Sequence, residues 1–286
     1  MTSEVRSYVE MLTWPFVTQR HPTVPVIRLA GVIGSSPLRG GGLTLSSLEG
    51  AIERAFRLRR ARAVALAINS PGGSPVQSDL ITRRVRLLAA EKGLPVLAFI
   101  EDLGASGGYY LACAADEIYA NASSIVGSIG VVSAGFGFVE ASRRLGIERR
   151  LYTAGSQKAL LDPFKPEDPQ DVARLKSIQA DVHDSFKAVV RERRGDRLKG
   201  DDGELFEGQI WSGLGALKVG LIDGIGDLHG VLRSRFGDKV RTRTMNAPRP
   251  WWRRRGSPFA GADAAELVTA ALAALEERAL WSRYGL

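Results

Sequence analysis

The chain has 286 residues, 44% of them hydrophobic and 24% charged, and its 39 Lys+Arg against 31 Asp+Glu leave a formal net charge of +8. These proportions are globular and exclude a wholly disordered chain, and 32 glycines without a triplet period exclude a collagen helix. One cysteine, Cys113, excludes an intrachain disulfide and a multi-cysteine zinc site, while His21, His183 and His229 stand too far apart for a helical zinc pair.

Residues 1–22 read as an irregular or short helical N-terminal arm. Glu4 and Glu10 interrupt it, so it lacks the apolar core of a secretory signal. The β-branched, apolar run 25–34 predicts a strand, and the Gly-rich stretch 37–42 a loop. A helix is predicted over 43–60, capped near Ser46 or Ser47, with Leu48, Ala51, Ile52 and Ala55 on one face. The continuous apolar runs 63–68 and 95–100 are the mark of strands in a sheet covered on both faces. Between them lie a sharp turn, Asn69-Ser70-Pro71-Gly72-Gly73, and a helix over 75–92. A small-residue helix at 106–115 follows, and 117–132 alternates short strands with turns.

The uncharged run 118–139 has the length of a membrane span, but Asn121, its serines and its glycines favour buried strands and turns. Then come a helix at 139–145, a strand at 148–153, a proline-rich loop at 162–169 and a long helix at 170–194. Short helices at 209–219 and 228–236 and a strand at 240–245 complete the body. A Pro- and Arg-rich linker at 247–258 leads to a tail helix at 262–284. This strand–helix alternation is α/β: a parallel sheet with covering helices. Two arginine groups, Arg54, Arg57, Arg59, Arg60 and Arg62, then Arg191, Arg193, Arg194 and Arg197, read as solvated helix faces rather than a nucleic-acid footprint.

Two glycine turns end two buried strands: the one at 69–73, and Gly104-Ala105-Ser106-Gly107-Gly108. In open parallel sheets the carboxyl ends of the strands carry the site. Glycine there lets the backbone approach a ligand and leaves N–H groups pointing outward. A serine at the mouth of a helix between such glycines suits a nucleophile. The Gly73 and Gly107 amides then form an oxyanion hole, in which a single donor is worth about 3–4 kcal/mol. The plain alternative is a pair of tight packing turns.

Ser106 needs a base. Gly104-x-Ser106-x-Gly108 matches a nucleophile elbow followed by Asp and then His, an order that Asp202 or Asp223 and then His229 satisfy. His229, at the start of a short helix, reads first as a surface or capping residue, and His21 and His183 as structural. The other base is lysine. It acts only when neutral, so its reference pKa of about 10.4 must fall to about 7–8 through burial away from carboxylates. Lys158 follows the predicted strand 148–153, with no acid between Glu148 and Asp162. Its plain reading is a solvated loop residue.

Together these segments resemble the signal peptide peptidase A family of Ser-Lys serine peptidases, within the Clp protease/crotonase superfamily. The carriers are Asn69-Ser70-Pro71-Gly72-Gly73, Ala105-Ser106-Gly107-Gly108-Tyr109-Tyr110, Gly127-Ser128-Ile129-Gly130-Val131, and Gly155-x-x-Lys158 with Pro163-Phe164. Gly208-x-x-Trp211-Ser212-Gly213 and Gly220-Leu221-Ile222-Asp223 add to them. The resemblance implies a spiral of ββα units with covering helices. It makes Ser106 the nucleophile, Lys158 the general base, Gly73 and Gly107 the oxyanion donors, and Ser128 the hydroxyl that orients the lysine amine.

It implies no cofactor and no metal, and no nucleic-acid partner is expected. It divides the chain into an arm (1–22), a peptidase domain (23–246) and a linker with an amphipathic tail helix (247–286). For a single-domain chain it implies a homo-oligomeric ring in which Lys158 reaches a neighbour's Ser106. The implied substrates are unfolded or membrane-derived peptides, cleaved signal peptides among them, and the expected location is the cytoplasm. In the tail, Val268, Leu272, Leu275 and Ala279 form a stripe that packs on the body or a neighbour. The second reading is peripheral contact with the inner membrane through Trp251, Trp252, Arg253, Arg254 and Arg255. Other functional classes stay open: a Ser-His-Asp esterase, a crotonase-type acyl-CoA enzyme that does not need Ser106, and a non-catalytic membrane scaffold of the same fold.

Overall fold

Short apolar runs that alternate with amphipathic helices assemble, in the computed structural model, into one eight-stranded sheet. The structure describes residues 21–34, 42–155, 157–245, 275 and 278–285. In chain order the elements are β1 (Thr23–Ala30), α1 (Leu45–Phe56), β2 (Val64–Ser70), α2 (Pro75–Lys92), β3 (Val96–Ala105) and α3 (Gly107–Ala112). Then follow β4 (Glu117–Ala120), β5 (Ile125–Gly127), α4 (Val139–Arg144), α5 (Pro169–Arg194), α6 (Asp202–Leu205) and β6 (Ile210–Ser212). The last are α7 (Gly213–Lys218), β7 (Gly224–Ile225), α8 (Leu228–Phe236) and β8 (Arg241–Thr244).

The sheet runs β6-β5-β3-β2-β1-β8, with β4 paired to β3 and β7 to β4. Only β5–β6 is antiparallel; every other pairing is parallel. β3 pairs with β4 through Leu97–Ile100 and with β5 through Leu103–Ala105, so its far end belongs to a different neighbour from its start. That far end is where Ser106 follows.

Because strand side chains alternate, each strand feeds two cores. Ile27, Leu29, Leu66, Ile68, Ala98 and Ile100 pack toward the α1–α3 side. Val26, Ala65, Ala67, Leu97 and Phe99 pack toward α8 through Leu232. Each fully buried Leu, Ile or Val contributes about 1.5–3 kcal/mol. Helix α2 starts at 75 because the Ser74 side chain accepts from the Gln77 amide and Pro75 opens the first turn; it stops at Gly93, which takes a left-handed φ of 61°.

Four expectations change. Segment 148–153 is exposed coil rather than strand; it has no strand beside it to pair with, and Arg149 and Arg150 interrupt its apolar run. Segment 209–219 begins as strand β6 before turning helical, because Ile210–Ser212 finds a partner in β5. The cap of α1 is Thr44: its hydroxyl accepts from the Ser47 amide while the Ser47 hydroxyl accepts from the Thr44 amide.

Last, the second arginine group is only in part a solvated face: Arg191 and Arg197 are exposed, but Arg193 and Arg194 turn inward. Arg194 is 2% exposed. Its guanidinium donates to both Asp223 carboxylate oxygens, at 2.7 and 2.9 Å, and to the Gly220 carbonyl. Arg193 donates to the Cys113 and Ala115 carbonyls. Asp223 also accepts from the Ile118 amide, so the Gly220–Asp223 motif clamps α5 to β4. Burial works against the Asp223 charge, yet these donors hold its carboxyl below the usual range. Burial pushes the Cys113 thiol up to about 12, which makes it inert.

Most of the tail lies outside the described residues, including Trp251, Trp252, Arg253, Arg254 and Arg255, as does the arm up to residue 20. Among the described residues, no helix is long and apolar enough to cross a membrane.

Candidate active site

The site forms where β2 and β3 run out. Asn69 staples the two strand ends: its carbonyl accepts from the Leu103 amide at 3.2 Å and its NH2 donates to Asp102 at 2.7 Å. The Ser70 hydroxyl donates to the Gly31 carbonyl at 2.7 Å and accepts from the Gly72 amide. This lays the 71–73 turn against the β3–α3 turn. At Gly72, a Cβ would fall 2.8 Å from the Ser106 Cβ and 2.9 Å from the Gly107 nitrogen, so only glycine permits the approach.

Ser106 has φ 52° and ψ −123°, a conformation that side chains rarely adopt. The sharp turn is held from behind: the Ser106 amide donates to the Gly127 carbonyl at 2.7 Å. A strained strand-to-helix turn of this kind pushes the hydroxyl outward. Ser106 is half-buried, does not cap α3, and borders a cavity of about 320 Å³. Gly73 and Gly107 border the same cavity, and neither amide finds an acceptor among the described residues. Two free donors beside a presented hydroxyl can hold an oxyanion.

Ser128 lies one peptide beyond the carbonyl that holds Ser106. It too has a positive φ, 53°, and its amide donates to the Gln209 carbonyl at 2.6 Å. A Cβ on Gly127 would meet the Trp211 ring at 2.6 Å, so only glycine fits here against the tryptophan of β6. The Tyr284 and Ser128 hydroxyls meet at 3.3 Å, bringing the end of the chain to this spot.

Lys158 stands apart. It is exposed, its amide donates to the Gly155 carbonyl, and it does not border the Ser106 cavity. The burial expected of a neutral amine is absent in the single chain. From Val131 to Asp168 no described residue is buried. This arm exposes Leu145, Ile147 and Tyr152, at 73%, 58% and 89%. Its local order comes from a row of rings, Phe136–Phe138–Phe164, spaced 6.3 and 5.5 Å, with the Arg149 guanidinium over Phe164.

The Ser-His-Asp order does not assemble. His229 is exposed and lines another cavity, of about 470 Å³, together with Arg28, Glu101 and Asp227. Asp223 spends both oxygens on Arg194, and Asp202 pairs with Arg191 at the surface. Sequence reading missed the walls of the Ser106 cavity: Asp79, Tyr110, Asp181, Val182 and Phe186. The sequence marked 170–194 as a long helix but carried no sign of what that helix would face.

Fold and site together define an α/β protein that presents a serine on a strained turn beside two unpaired backbone amides. A family model described as peptidase family S49 matches residues 89–236, just over half of the chain, and the chain belongs to that family. The match contains Ser106, Ser128 and Lys158 and begins after Gly73. The chain is 49% identical over 274 residues to a Brucella melitensis protein named Na(+)/H(+) antiporter NhaA, covering 92% of this chain and 37% of that one. It is 30% identical over 236 residues to the Arabidopsis thaliana serine protease SPPA, chloroplastic, covering 79% of this chain and 34% of that one. A Synechocystis protein named putative protease slr0021 is 27% identical over 284 residues, with 96% of both chains covered. The chain thus spans about a third of the length of the first two relatives and nearly all of the third.

Proposed function

We propose that this chain is a serine peptidase with Ser106 as nucleophile and Lys158 of a neighbouring copy as general base. Ser106 carries the reading: a serine held at φ 52° at the edge of a cavity, with the unpaired Gly73 and Gly107 amides beside it. The neutral lysine amine takes the hydroxyl proton as Oγ bonds to the substrate's peptide carbonyl carbon. The two glycine amides hold the resulting oxyanion, and Ser128 accepts a hydrogen bond from the amine. The ammonium then gives its proton to the leaving nitrogen as the C–N bond breaks. Water, deprotonated by the same amine, attacks the acyl carbon; the C–Oγ bond then breaks, the ammonium returns its proton to Ser106 Oγ, and the product leaves with a new carboxyl group.

The position of Lys158, exposed and off the Ser106 cavity, supports sharing between copies. An exposed arm bearing large apolar residues calls for cover, and a second chain in a ring supplies it. The same cover strips the amine of water. A ring excludes folded proteins, so the substrates are unfolded or membrane-derived peptides, cleaved signal peptides among them. The apolar walls of the cavity, Pro75, Val76, Val131, Val182 and Phe186, support that class.

The test is labelling with a fluorophosphonate, read by intact mass, alongside turnover of an unfolded peptide. Wild type should gain one adduct and cleave the peptide; Ser106→Ala should do neither. An adduct that survives Ser106→Ala, or cleavage that does, overturns the reading.

A further inference from the structure

We propose that the cavity beside Ser106 selects a substrate residue with a long side chain ending in a cation, lysine or arginine, and that Asp181 is its counter-ion. This rests on the reading of Ser106 as nucleophile. Ser106, Gly73 and Gly107 all line the cavity, so it lies within reach of the side chain of the residue whose carbonyl is attacked. At about 320 Å³ it lies at the small end of ligand pockets, which run from about 300 to 1,000 Å³. That is room for one extended side chain rather than a folded segment.

Its walls are of two kinds. Val76, Val131 and Val182 offer aliphatic surface, and the Tyr110 and Phe186 rings, 5.1 Å apart, close one side. These suit methylenes. Every charged residue that lines the cavity is acidic, in a chain whose 39 Lys+Arg outnumber its 31 Asp+Glu. The two acids, Asp79 and Asp181, come from different helices, α2 and α5.

Only one of them is available. Asp79 accepts from the Tyr110 hydroxyl at 2.9 Å and from the Arg83 guanidinium at 2.8 Å, and burial with that bond pushes the Tyr110 phenol up, keeping it a donor. Asp181 is exposed, and it makes no ion pair and no side-chain hydrogen bond among the described residues. A purely apolar substrate side chain would use the aliphatic walls and leave Asp181 facing it unpaired. A lysine or arginine uses both: its stem packs on the valines and its tip reaches the carboxylate.

The experiment uses three peptides that differ at one residue: lysine, norleucine (the same chain length without charge) and glutamate. In wild type, kcat/KM should follow lysine, norleucine, glutamate in falling order. Lysine should exceed norleucine by about fivefold, the size of effect that a partly exposed ion pair gives, and the margin should shrink as salt is raised. Asp181→Asn should bring the lysine-to-norleucine ratio to about one, and Asp181→Lys should put glutamate ahead of lysine. A wild type that cleaves norleucine as well as lysine overturns the proposal and leaves Ser106 as nucleophile. So does an Asp181→Asn chain that slows both peptides equally with the ratio kept. Wild type that cleaves none of the three overturns the nucleophile reading, and this proposal with it.

Discussion

From Thr23 to Gly130 the described residues form a packed body, in which the β2 run Val64–Ile68 and the β3 run Val96–Ile100 are buried throughout. From Val131 to Asp168 it is an arm in which no described residue is buried. Ser106 belongs to the first region and Lys158 to the second. A nucleophile needs a rigid, strained turn, which a close-packed body provides. A lysine base needs dehydration, which this arm does not provide alone. Under the proposed Ser106–Lys158 dyad, the difference between the regions means that half of the site comes ready within one chain and the other half waits for a surface to cover it.

The largest effect tests that division directly. Ser106→Ala and Lys158→Ala chains should each lose at least about 10⁴-fold in kcat/KM, as loss of one member of a catalytic unit does elsewhere. Mixed under subunit exchange, the two inactive chains should recover peptidase activity, because an intact Ser106 then meets an intact Lys158. No recovery would mean an intrachain dyad, and the contrast between body and arm would lose its functional meaning.

The next effect probes the body. Arg194→Met leaves the half-buried Asp223 carboxylate without its bidentate partner, with Arg197 and the Ile118 amide still on it, and should cost about 3 kcal/mol in urea unfolding. The pH dependence has a definite sign. Burial opposes the Asp223 charge, but the Arg194 guanidinium and the Ile118 amide outweigh it and lower its pKa. The stability it contributes is therefore complete above the unfolded-state value of about 3.9, and is lost as pH falls through the lower folded-state value. Acid unfolding of Arg194→Met should show that step diminished, since the Ile118 amide and Arg197 remain on Asp223; an unchanged acid limb would show that the clamp does not report on the body.

The smallest effect on stability belongs to the arm. Leu145→Ser and Ile147→Ser, at positions 73% and 58% exposed, should change the unfolding free energy of the chain by less than about 0.5 kcal/mol. The same pair should lower the assembly mass by analytical ultracentrifugation and reduce peptide turnover with it. If these substitutions unfold the chain while the assembly mass of the folded fraction holds, the arm is packed on its own body and needs no second copy.

Helices α2 and α8 were legible in the sequence because their start and stop signals are local. Ser74-Pro75 and Gly93 bound the first, and Asp227, whose carboxylate accepts from the His229 and Gly230 amides, opens the second. Segment 148–153 carried enough apolar residues to read as a strand, but a strand exists only where another strand accepts its hydrogen bonds, and none lies beside it. The arginines of α5 misled for a related reason. Helical spacing places Arg194 on a face, yet cannot tell that Asp223, on the far side of α6, β6 and α7, comes to meet it.

The same divide runs through the site. Gly72, Gly73, Ser106 and Gly107 stood out from sequence because tight turns at strand ends depend on residue type at neighbouring positions, and a missing Cβ is a local fact. By itself, then, the sequence determined the α/β class, the two glycine turns and the serine between them. Only the tertiary structure decided that Asp181 faces Ser106 across a cavity, that Arg194 is buried, and that Lys158 stands outside the core. Those outcomes depend on which helix crosses which strand end, and such crossings are set by packing among residues far apart in the chain.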